Sequence, residues 1–182
     1  MSQIPDRIGF STGSSWLSCV IRWFTDSAAS HAWILYWDSE FEADCVLEFT
    51  RGGCRITTLT SFEKHNRVVK KALPRHPISL GMKKVAEWLD KPYDYKGLFG
   101  MVWVMVGRWL HRKWKNPWGS AQAMFCSEAV ARVLRAADYP GTEYWDPETI
   151  SPQDLFEFFL RESSKPPLGP APTGEVHDGR RT

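Results

Sequence analysis

The sequence predicts a single α+β domain in which a small antiparallel β-sheet packs against helices. Short apolar and β-branched segments typical of strands lie in the first half of the chain, and amphipathic segments typical of helices dominate the second half. The 182 residues suit one domain, and 43% hydrophobic with 24% charged residues is ordinary globular usage. This composition excludes a wholly disordered chain.

Five segments have the character of strands: 8–11, 32–37, 45–49, 55–59 and 67–72. The second is a continuous apolar run, which is typical of a buried strand. The stretch 38–44 predicts a turn, so the strands on either side of it can pair antiparallel. In the last segment the apolar and polar residues alternate only in part.

Four segments predict helices: 14–24, 79–89, 126–137 and 155–160. The third has the clearest helical periodicity, with apolar residues at 126, 129, 130, 133, 134 and 137. The fourth follows Ser151-Pro152-Gln153-Asp154, which combines an N-cap, a proline at the first helical position and an acid in the first turn. We expect the domain to comprise 1–162 and the Pro- and Gly-rich segment 163–182 to be a disordered tail.

The longest apolar run, 97–110, is too short for a spanning helix, which needs about 20 residues. It is either a buried core helix or a segment that dips into a lipid surface. In the second case the basic cluster that follows would contact anionic headgroups, giving a peripheral membrane contact through 97–115. That cluster comprises Arg108, His111, Arg112, Lys113 and Lys115.

Charge and cysteine usage narrow the function classes. A net charge of +2 and a single short basic patch do not favour a nucleic-acid partner. The four cysteines form no C-x-x-C pair, so neither a zinc site nor a disulfide scaffold is expected. The polar start of the chain predicts no signal peptide, and we expect a cytoplasmic protein that needs no metal or cofactor.

Cys126 is the first candidate for a chemical role. It stands in Phe125-Cys126-Ser127-Glu128, where the clearest helix begins, so backbone N–H groups and the positive end of the helix dipole lie beside it. Both lower the pKa of a thiol, and the same N–H groups can hold an oxyanion. The alternative is a small unreactive core residue on the apolar face of the helix.

A base and an orienting carboxylate for this thiol are predicted in the strands. His31 opens the apolar strand, where a neutral imidazole can take a proton from a thiol; otherwise it is a hydrogen-bonded strand-end histidine. Glu48 lies inside the next strand, where an unpaired charge is costly, so it has a partner unless it faces solvent. Direct opposition of the two would need a turn centred between Ser39 and Glu40. Together the three residues form a thiol, base and orienter set.

Five motifs occur in the order known from one superfamily: Asp6-Arg7-Ile8-Gly9-Phe10-Ser11, Ser30-His31-Ala32-Trp33-Ile34, Val46-Leu47-Glu48, Lys91-Pro92-Tyr93-Asp94 and Phe125-Cys126-Ser127-Glu128-Ala129-Val130. Over roughly 6–160 the chain resembles the circularly permuted papain-like amidases, the NlpC-type cysteine hydrolases with YiiX-like topology. It is more distantly similar to the lecithin:retinol acyltransferase group. The first motif departs from the pattern, because the family's glycine is replaced.

This resemblance implies a permuted papain-like fold in which Cys126 is the nucleophile, His31 the base and Glu48 the polar third member. It also implies that the Tyr93 hydroxyl lies near the nucleophile, although Tyr93 could equally serve core packing. The expected activity is hydrolysis of an amide, in a cell-wall peptide or an acylated lipid or peptide, through an acyl-enzyme. Two alternatives are an acyltransferase on the same fold and a non-catalytic membrane-binding module.

Overall fold

The computed structural model describes most of the chain in five parts: residues 6–12, residues 28–50, residues 53–88, a set of positions between 100 and 115, and residues 125–166. The positions in the fourth part are 100, 103–104, 106–107, 109–112 and 114–115. The predicted helix 14–24 and most of the predicted tail lie outside the described residues.

All five predicted strands are present in one sheet. They are β1 (Arg7–Thr12), β2 (His31–Asp38), β3 (Ala43–Thr50), β4 (Gly53–Thr58) and β5 (Arg67–Ala72). Their order across the sheet is β4-β3-β2-β1-β5, and every neighbouring pair is antiparallel. The structure therefore confirms the α+β class and the antiparallel sheet.

Four helices have described bounds: α1 (Leu59–Glu63), α2 (Ser79–Met82), α3 (Cys126–Ala136) and α4 (Pro152–Ser164). Several of the described positions between 100 and 109 are helical as well. Two short 3₁₀ segments, Lys83–Trp88 and Pro147–Thr149, accompany them. Among the described residues, no helix has both the length and the apolar character needed to cross a membrane.

Two sequence-based boundaries are wrong. Leu59 does not end a strand but begins α1, because the Thr58 side chain accepts a hydrogen bond from the Ser61 backbone N–H and caps a helix there. The predicted helix 79–89 is α-helical for only one turn and then tightens into the 3₁₀ segment.

The predicted cap of α4 is confirmed. Ser151 and Asp154 form a reciprocal capping box, and Pro152 occupies the first helical position. The helix ends at Ser164, two residues into the segment assigned to the tail.

Alternate residues of a strand point to opposite sides of the sheet, and helices pack on both of these faces. On one face Ile34 and Leu47 pack in the main core with α3 and α4. On the other face Trp33 packs with Phe62 of α1. The backbones of α2 and α3 also touch, since a Cβ at Gly81 would lie 1.9 Å from the Val133 carbonyl oxygen.

Candidate active site

The β2–β3 hairpin brings His31 and Glu48 together. Its register sets Ile34 opposite Leu47, and continuing that register places Glu48 one step diagonally from His31 on the same face. The turn is therefore centred one residue later than direct opposition would need. The contact forms nevertheless, with 2.7 Å between His31 Nε2 and Glu48 Oε2. The interpretation of Glu48 as solvent-facing is wrong, because the residue is only 3% exposed.

Arg55 is a member of this cluster that the sequence analysis did not identify. It lies directly opposite Glu48 in the β3–β4 pairing. Its Nε and Nη2 donate to Glu48 Oε1 at 2.8 and 2.7 Å, so the two carboxylate oxygens serve different partners. One signal was present in the sequence, because counting outward from a two-residue turn at positions 51 and 52 pairs position 55 with position 48.

Glu48 stays ionised in this setting. Burial raises the pKa of its carboxyl group, but the hydrogen bonds and positive charges of His31 and Arg55 lower it further than burial raises it. The net shift is downward. A buried carboxylate is thus held in place by a cation on each side.

Cys126 is the first residue of α3, and the structure places it against His31. Phe125 is the extended N-cap residue, so Cys126 lies in the first turn, where the N–H groups have no partner within the helix. The side chains of Cys126 and His31 are hydrogen-bonded, and the backbone N–H groups of Ala32 and Ser127 also donate to the sulfur. Because Glu48 occupies Nε2 of the imidazole, Nδ1 is the nitrogen left for the thiol.

The electrostatics of this pair favour a thiolate beside an imidazolium. Burial lowers the pKa of His31, but Cys126 and Glu48 outweigh it and raise that pKa to about 10. Burial raises the pKa of Cys126, but His31 and the backbone donors outweigh it, so the net shift is downward. Both shifts favour the proton on the ring rather than on the sulfur.

The ring of His31 is also confined by an aromatic neighbour. Phe62 of α1 stacks on it at 6.5 Å between ring centroids, with 24° between the planes. Behind Cys126 the core leaves a cavity of only about 10 Å³, lined mainly by apolar residues of β2, β3 and α3. That cavity holds one water at most, so it has no room for a substrate.

Tyr93 and Cys19 lie outside the described residues, so the structure does not place the Tyr93 hydroxyl. Within the parts of the chain that are described, no group of three or more His, Cys, Asp or Glu side chains could hold a metal ion. The arrangement that remains is a buried thiol, an imidazole and a buried carboxylate in contact with one another.

No protein-family model matches this chain, and no curated protein and no solved structure is significantly similar to it.

Proposed function

We propose that the protein is a cysteine hydrolase of permuted papain-like fold that cleaves an amide bond through an acyl-enzyme. The observation that carries this proposal is the position of His31, hydrogen-bonded to Cys126 on one side and to Glu48 on the other. A nucleophile, a base and an orienting group in this arrangement are the working parts of thiol-dependent acyl transfer.

In the first half of the reaction the Cys126 thiolate attacks the carbonyl carbon and forms a C–S bond, while the carbonyl π electrons move onto oxygen. The oxyanion lies at the N-terminus of α3, where the N–H groups of the first turn have no acceptor within the helix. On collapse of the intermediate the C–N bond breaks, and His31 gives its proton to the leaving amine.

In the second half a water molecule replaces the amine. Neutral His31 takes a proton from this water, which attacks the thioester, and cleavage of the C–S bond returns the thiolate beside an imidazolium. Glu48 stabilises the positive ring at each stage and keeps its orientation. By resemblance, the Tyr93 hydroxyl would assist the oxyanion.

The proposed substrate is an amide of a cell-wall peptide or of an acylated lipid or peptide. An amine or alcohol in place of water would make the same site an acyltransferase. The proposed location is the cytoplasm, and the free thiols of Cys45, Cys54 and Cys126 are compatible with a reducing compartment.

The decisive experiment compares two thiol deletions in a Cys19→Ala background. The Cys126→Ala variant should lose hydrolysis of a fluorogenic N-acyl amide and labelling by a thiol-directed acyl probe. The matched control is Cys45→Ala, which removes an equally buried thiol and should retain both. Activity that survives Cys126→Ala would overturn the mechanism. Adding an amine acceptor to the active protein then separates hydrolysis from acyl transfer by the product formed.

A further inference from the structure

A long stretch of the chain carries charge of one sign. Between Asp94 and Glu128 there is no acidic residue, whereas five lysines or arginines occur there. The whole chain has a net charge of only +2, so this stretch is far more basic than the remainder. Two of its cations, Arg112 and Lys115, are described and exposed.

Helical residues within this stretch show two distinct sides. Gly100, Val104 and Gly107 are spaced at 4 and 3 residues along the helix and are buried. On the other side the exposed helical residues that the structure describes are apolar as well: Trp103 is 45% exposed and Trp109 is 80% exposed. A helix side that faces only water ordinarily carries polar residues, so the composition of this side indicates a partner.

The helical residues between Gly100 and Trp109 are followed by a turn. His111 adopts a positive φ of 55°, and the Arg112 N–H donates to the Gly107 carbonyl at 2.7 Å. Trp114 folds back and stacks on Trp103 at 4.4 Å between ring centroids. A side chain at Gly107 would meet the Trp114 ring at 2.8 Å, so the glycine makes this return possible.

We propose that this basic aromatic surface, formed by Trp103, Trp109, Leu110, Arg112 and Lys115, docks on an anionic lipid bilayer. Tryptophan rings are suited to the headgroup level of a bilayer, and cations beside them are attracted to anionic headgroups. The stretch itself contributes no carboxylate that an anionic surface would repel. The inference goes beyond the proposed function and does not depend on the chemistry of Cys126.

The test is co-sedimentation of the full chain with vesicles, in a Cys126→Ala background so that any hydrolysis plays no part. Vesicles of phosphatidylcholine alone are compared with vesicles that contain about 30% phosphatidylglycerol. Reversing two cations (Arg112→Glu with Lys115→Glu) should weaken binding to the anionic vesicles by at least about 25-fold, about fivefold per cation. Replacing the apolar tip (Trp109→Ser with Leu110→Ser) should weaken it about tenfold or more.

Matched controls come from elsewhere on the surface. Phe41→Ser with Tyr144→Ser removes two exposed aromatic residues, and Lys64→Glu with Arg67→Glu makes the same charge change. Both controls should bind as the parent does, and Trp109→Phe should retain binding because an aromatic ring remains.

Three results would overturn the proposal. The first is equal binding to neutral and anionic vesicles, and the second is a control that weakens binding as much as the tip variant does. The third is concentration-dependent self-association in the absence of lipid that the tip variant abolishes, which would make a second copy the occupant. Circular dichroism of each variant ensures that lost binding is not lost folding. Since no measurement here uses amide hydrolysis, failure of the docking proposal leaves the proposed hydrolase activity untouched.

Discussion

Two of the thiols, Cys45 in β3 and Cys126 in α3, are 1% and 4% exposed, and yet their pKa values move in opposite directions. Burial, followed by the carboxylates of Asp38 and Asp44, raises the pKa of Cys45. Burial acts in the same upward direction on Cys126, but the imidazolium of His31 reverses the outcome. The sign of the nearest charge, rather than access to solvent, therefore sets the direction in which the pKa of each thiol is shifted.

Removing the imidazolium of His31 should have the largest effect, and the effect is measured on the alkylation rate of Cys126. In a Cys19→Ala background, His31→Ala should lower the rate of alkylation of Cys126 at pH 7 by about 100-fold, because without the imidazolium only a small fraction of this buried sulfur is thiolate. Alkylation by a small iodoacetamide, located by peptide mass spectrometry, measures it. Cys45 in the same sample is the internal control and should not change. If Cys126 still reacts faster than Cys45 in this variant, His31 does not activate it.

The carboxylate behind the imidazole should have the next largest effect. Glu48→Gln retains shape but loses the negative charge, and hydrolysis should fall about 10- to 100-fold, less than on loss of the base itself. Glu63→Gln is a suitable control, because it neutralises an exposed carboxylate outside the cluster. An unchanged rate would reduce Glu48 to a structural role.

The pH dependence of kcat/KM should also report the contacts of His31 with Cys126 and Glu48. Activity needs the thiolate, which forms above the lowered pKa of Cys126, and the imidazolium, which is lost near pH 10. The profile of kcat/KM should therefore be bell-shaped, with its acid limb below the ordinary thiol range. Because Glu48 helps to raise the pKa of His31, Glu48→Gln should move the alkaline limb to lower pH. A limb that does not move would contradict this coupling.

Arg55 is half exposed, so removing its side chain should lower activity less than Glu48→Gln does. Arg55→Ala should lower activity by about two- to tenfold, because solvent screens the lost ion pair. Arg55→Lys should recover part of the loss, since it keeps the charge without the two-pronged donor geometry. Arg67→Ala, on the edge strand β5, is the matched arginine control. A loss for Arg67→Ala as large as that for Arg55→Ala would contradict a specific role.

The smallest effect is expected on the alkylation rate of Cys45. Asp44→Asn removes one of the carboxylates that raise the pKa of Cys45 and should speed its alkylation about two- to threefold at pH 8. Glu42→Gln, in the adjoining turn, is the control. No change in the alkylation of Cys45 would show that burial alone suppresses it.

Strand positions follow directly from the sequence, and their register does not. The apolar run 32–37 and the β-branched segments predict where β2 to β5 lie, because alternation and residue type are local properties. The diagonal contact between His31 and Glu48 depends on where the turn centres, and a shift of one residue cannot be read from polar turn residues.

In the candidate site too, local sequence patterns identify residues but not the contacts that depend on strand pairing. Cys126, His31 and Glu48 were identified because each is a polar or reactive residue in an apolar setting. Arg55 was missed because an arginine on an edge strand is ordinary, and only its partner across the hairpin gives it a role. The contact between α2 and α3 at Gly81 likewise depends on the tertiary structure, which no local pattern encodes.

His31 and Glu48 meet within one short hairpin, whereas Cys126 is contributed by a helix near the other end of the chain. During synthesis the hairpin emerges long before the helix that completes the trio. Until that helix packs against the sheet, the Cys126 sulfur has no imidazole beside it. Its pKa is then that of an ordinary cysteine, about 8.5, so the thiol stays protonated at neutral pH. We therefore expect the sulfur to become reactive only once α3 packs against the sheet, and not while the chain is still incomplete.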